Sequence, residues 1–90
     1  MTDDALTRFR DEITAIDREI VALVNRRIET VARLKRHKDE HGIGFVDLAR
    51  EEWMLQYLQR ANRGPLSVEG LAELYHELLD LMKREVQKST

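Results

Sequence analysis

The first third of the chain repeats apolar residues at alternating intervals of three and four: Leu6, Phe9, Ile13, Ile16, Ile20 and Leu23. That spacing sets them on one face of an α-helix. The next apolar residue is due at position 27, where the stretch "IVALVNRRIETVARL", residues 20–34, carries Arg27 behind Arg26. A permanent cation therefore interrupts the stripe. The helical period runs on without glycine or proline from about Asp4 to Glu40, which predicts a single helix of roughly 36 residues and about 54 Å.

Gly42 and Gly44 mark "HGIGFVD" as a loop, and Asp47 at its end is placed to cap a second helix, "LAREEWMLQYLQRAN". "RGPL", with the chain's only proline at Pro65, ends that helix. Ser67 then caps a third helix from Val68 to about Gln87, with Leu71, Leu74, Tyr75, Leu78, Leu79, Met82 and Val86 on one side. No strand pattern, internal repeat or low-complexity segment is present. The expected fold is all-α, with one very long, one short and one medium helix in a single domain spanning residues 1–90. A globule of this size has a radius of gyration of roughly 12 Å and a width of about 30 Å, so the first helix overhangs it. A second copy alongside would cover the overhang, which predicts an intertwined homodimer.

Composition narrows the function classes. Apolar content of 42% with 36% charged residues describes a charge-rich soluble protein. The lack of cysteine excludes disulfides and thiolate zinc sites and favours a cytoplasmic setting. No apolar run has the length of a membrane span, and the acidic start "MTDDALTRFRDE" is unlike a signal peptide. A net charge of −2 argues against nucleic-acid binding; the basic run "RLKRHK" is followed at once by "DEH". His37 and His41 have the spacing of two metal ligands on a helix face, but neither His76 nor any other residue supplies an evident third. No metal or cofactor is expected. Trp53, Met54 and Tyr57 read as core or docking surface.

The candidate chemistry lies in the charges near the stripe. Lys38 follows Arg27 by eleven residues, close to three turns, so both point the same way about 16 Å apart along the axis. Arg10 lies roughly 25 Å from Arg27 by the same rise, too far to share a pocket within one chain. In an antiparallel dimer, Arg10 of one chain can approach Arg27 of the other. In "VDLAREE", Asp47 and Glu51 project to the same side of the first turn, with Arg50 beside them. Plainer readings stand next to these. Arg27 can snorkel to Glu29 or Glu51, Lys38 can complement a helix dipole, Asp47 is a cap in any case, and Arg10 and Arg50 suit solvated faces.

Taken together, "FRDEITAIDREIVALVNRRIETVARLKRHK", "VDLAREEWMLQYL" and "LYHELLDLMKREVQ" resemble the all-helical chorismate mutases over nearly the whole chain. The middle segment is most similar to the mutase domains that are fused to, or cooperate with, the synthase opening the shikimate pathway. The resemblance implies conversion of chorismate to prephenate by a cofactor-free pericyclic rearrangement, in a homodimer whose sites draw on both chains. Carried over, Arg27 and the other chain's Arg10 would bind the two substrate carboxylates. Lys38 would contact the ether oxygen and a carboxylate, Asp47 and Glu51 would lie near the ring hydroxyl with Glu51 accepting from it, and Arg50 would add a cationic contact. A third-helix donor to the ether oxygen falls on Gln87 when counted from the second helix and on Val86 when counted from Leu74 and Tyr75; Gln87 is the choice, with Glu85 the alternative. An isochorismate-pyruvate lyase of the same fold, or a mutase-like regulatory module for a partner synthase, are the competing expectations.

Overall fold

The computed structural model describes residues 3–88. It consists of three helices in the expected order: α1 (Asp4–Glu40), α2 (Leu48–Ala61) and α3 (Val68–Lys88). Each begins at a short polar side chain that accepts from an otherwise unpaired backbone N–H. Asp3 takes the Leu6 N–H at 3.1 Å, Asp47 takes the Arg50 N–H at 3.0 Å, and Ser67 takes the Gly70 N–H at 3.0 Å.

The end of α1 fixes where α2 starts. Gly42 takes up φ +67, a left-handed conformation that L side chains rarely adopt. This lets the Ile43 N–H reach back to Lys38 O at 2.8 Å and the Gly42 N–H to Asp39 O at 3.4 Å, the paired bonds of a Schellman stop. Asn62 organises the second connection, donating to Leu66 O at 2.8 Å and accepting from the Gly64 N–H at 2.9 Å.

α3 is the hub, packed on one side by α1 and on another by α2. The buried side chains among the described residues, Leu71, Tyr75, Met82 and Val86, all belong to it. Leu74, expected on the same inward stripe, is instead 58% exposed. α1 contributes no buried residue although it is 37 residues long. Its first stripe, Leu6 through Phe9, Ile13, Ile16, Ile20 and Leu23, lies open, with Phe9 exposed at 62%.

The shape follows from α1. The extents are 63 × 29 × 16 Å and the radius of gyration is 17.1 Å, well above the roughly 12 Å of a globule of this length. Among the described residues no helix is long and apolar enough to cross a membrane.

Gly42→Ala is expected to lower stability by about 1 kcal/mol, because the left-handed backbone penalises a Cβ that would meet no other atom. Gly44→Ala, with no positive φ and open space at its Cβ, is expected to be neutral or slightly stabilising. Urea unfolding midpoints at matched chain concentration separate the two outcomes.

Candidate active site

A cleft of about 240 Å³ opens between the C-terminal half of α1, the loop before α2, α2 itself and α3. Arg27, Val31, Leu34 and Lys38 line it from α1; Phe45, Val46 and Asp47 from the loop; Arg50, Glu51 and Met54 from α2; and Tyr75, Leu79, Met82 and Lys83 from α3. Its floor is largely aliphatic, sulfur-bearing and aromatic. Polar function is concentrated in four cations and two carboxylates, so an anionic guest with an apolar body suits it.

Arg27, the residue that breaks the stripe, is half-buried and faces this cleft. Among the described residues no carboxylate pairs with it. The expectation that Glu29 or Glu51 would cap its guanidinium is therefore not met in this chain. Glu51 is committed elsewhere, receiving Lys83 Nζ at 3.3 Å on Oε1.

Lys38 is half-buried, and its Nζ donates to Phe45 O at 3.1 Å. Its own backbone carbonyl accepts from Ile43. One residue thus ties both the start and the end of the loop to α1. Asp47 caps α2 as expected and also lines the cleft, since capping engages only Oδ1. Arg50 extends over the Trp53 ring, 4.6 Å from its centroid, a cation–π contact. Trp53 is itself stacked on Tyr57, with ring centroids 5.4 Å apart.

Five of the expected site residues, Arg27, Lys38, Asp47, Arg50 and Glu51, are thus brought together at one cleft. Arg10, Glu85, Val86 and Gln87 do not line it within this chain. Arg10 sits on the exposed first part of α1, and Gln87 is exposed near the end of α3. Val86, reached by one of the two counts, is the most deeply buried residue described, at 1% exposure. Lys83 was missed by the sequence reading. Its signal was its place one turn after Leu79 and one turn before Gln87 on the same helix.

The histidines form no metal cluster: among the described residues no group of three or more His, Cys, Asp or Glu could hold an ion. His41 Nδ1 lies 2.8 Å from His37 O, and the two rings are 4.2 Å apart.

Three helices around a cation-rimmed apolar cleft define an all-α class of protein. Residues 9–87 match the family described as chorismate mutase type II, and the chain belongs to that family. Among solved structures, it superposes on chorismate mutase (Form II) from Thermus thermophilus with a TM-score of 0.89 at 30% identity, covering 93% of this chain and 96% of that one. Form I of the same protein gives a TM-score of 0.85 at 32% identity, covering 88% and 99%.

Among sequence relatives, the bifunctional chorismate mutase/prephenate dehydratase of Stutzerimonas stutzeri is 33% identical over 82 residues, covering 84% of this chain and 22% of that protein. The T-protein of Haemophilus influenzae is 34% identical over 83 residues, covering 91% and 21%. The chain spans about a fifth of the length of these curated relatives.

Trp53 is the only tryptophan, so its emission reports on Arg50. Arg50→Ala is expected to shift that emission while leaving the far-ultraviolet helix signal unchanged. Identical emission spectra for the two proteins would mean that the cation–π contact does not persist in solution.

Proposed function

We propose that the chain is a chorismate mutase that converts chorismate to prephenate as a homodimer, in aromatic amino acid biosynthesis. The observation that carries this reading is Arg27: a half-buried guanidinium facing an apolar cleft, with no ion pair to a carboxylate among the described residues. Even partial burial of a cation beside apolar groups is unfavourable without a counter-charge. A dianionic ligand supplies the missing charge.

The rearrangement is pericyclic and needs no nucleophile, base or cofactor. It needs a flexible dianion held with its reacting carbons close and aligned. Arginine forks grip carboxylates bidentately, and the reading assigns this to Arg27 and to Arg10 of the second copy. As the carbon–oxygen bond breaks, negative charge grows on the ether oxygen. Lys38, helped by a third-helix donor such as Gln87, stabilises that charge more than the ground state. Asp47 and Glu51 orient the ring hydroxyl, with Glu51 accepting from it, and Arg50 completes the cationic rim. The apolar floor gives the body of the ligand a hydrophobic surface to pack on.

The dimer is supported by the bare stripe on α1 and by the need to bring Arg10 to the cleft. A chain without cysteine is suited to the cytoplasm. The test is the purified chain with chorismate and no additive, with prephenate formation as the expected result. Arg27→Ala is expected to lower kcat/KM at least about 100-fold, the scale of losing one charge-stabilising donor, with the dimer intact by light scattering. Charging the stripe with Ile13→Asp and Ile16→Asp together is expected to give monomers with no turnover. Full activity in a monomeric variant would contradict a site shared between copies.

A second reading, a regulatory module with low intrinsic rate, is favoured by one observation: Gln87 does not reach the cleft within this chain. A partner enzyme of the same route, whether the pathway-opening synthase or a fused domain, would then raise the rate by bringing a third-helix donor to the cleft. An unchanged rate on adding that synthase argues against it.

A further inference from the structure

Lys83 plays no part in the reading above, yet it lines the same cleft and bonds to one of the residues assigned to the substrate. Its ammonium reaches from α3 to Glu51 on α2 across 32 positions of sequence, at 3.3 Å, with both side chains part-buried. This is the one ion pair between different helices among those described; the others, Lys35–Asp39 and Lys88–Glu85, are local pairs on a single helix. A long glutamate side chain in the first turn of a helix has several rotamers, and some would turn its carboxylate to water. The rotamer seen here lines the cleft and is the one bonded to Lys83.

We propose that Lys83 is the positioning residue for Glu51: it holds the carboxylate by Oε1, so that the other oxygen is presented to a ligand hydroxyl, and it offsets the negative charge of the α2 wall against an incoming dianion. The inference rests on the proposed chorismate mutase activity. Two physical arguments support the assignment. A carboxylate has acceptor capacity on both oxygens, so Lys83 and a hydroxyl can be bound together without exchange. The cleft also holds four cations against two carboxylates, and without Lys83 the excess would be halved. Because a hydroxyl contact is present in substrate and transition state alike, the loss should fall mainly on KM rather than on kcat.

The experiment compares wild type, K83M, K83R, E51Q and the double variant E51Q/K83M for turnover of chorismate. Calorimetric titration with a hydroxyl-bearing dicarboxylate mimic of the transition state runs alongside, and melting temperatures are recorded for all five. Expected are a roughly tenfold lower kcat/KM in K83M, carried by KM, recovery to within about threefold in K83R, and a double variant no worse than E51Q, the non-additivity of residues that act as a unit. Wild-type kinetics in K83M, or independent losses in the double variant, would overturn the positioning role while leaving the mutase reading intact. A lower melting temperature in K83M with unchanged kinetics and affinity would reduce Lys83 to a helix tether, and also overturns it. If wild type binds the mimic but does not turn chorismate over, the same comparison is read from the dissociation constants. If wild type neither turns over nor binds, the mutase reading itself fails and this inference falls with it.

Discussion

A helix of 37 residues cannot be covered by the 53 that remain, and most of what is distinctive about this molecule descends from that mismatch. α3 can line only the C-terminal half of α1, so the buried core shrinks to a row of residues on α3, and the apolar stripe before Arg27 lies open. A small interior of this kind gives little stability by itself. The proposed second copy would therefore serve two ends at once, supplying the missing hydrophobic burial and delivering Arg10 to a cleft that its own chain places out of reach.

Within the cleft, structural and chemical duties fall on the same side chains. Asp47 caps α2 with one carboxylate oxygen while facing the cavity, and Lys38 stitches the preceding loop while projecting its charge inward. Arg50 lies over Trp53, which restrains a long side chain through its flat face. Charged groups held in this way lose little further freedom when a ligand binds. That is what the proposed reaction asks of a site, because it draws on geometry and field rather than on bond-making by the protein.

The helices and the caps of α2 and α3 were legible because they are local: three-and-four spacing, Asp47 and Ser67 before apolar runs, and glycine after α1 are all read within a few residues. Arg27 was legible as an anomaly, a charge where the period required an apolar residue. The cleft-lining role of Lys83 was not, because its partner lies 32 residues away and only the packing of α2 on α3 brings them together. The place of Gln87 hinged on register at the end of α3, where one residue turns a side chain by about 100°. The two counts end on neighbouring residues in different environments: Val86 is buried and Gln87 is exposed.

The bond from Lys38 to Phe45 O carries one more implication. An ammonium has three hydrogens, and the loop carbonyl occupies one of them. Two remain for a guest, so its arrival does not have to unfasten the segment that leads into α2. The vestibule is thus assembled before anything enters it, and the entropy of ordering that loop is charged to folding rather than to each binding event.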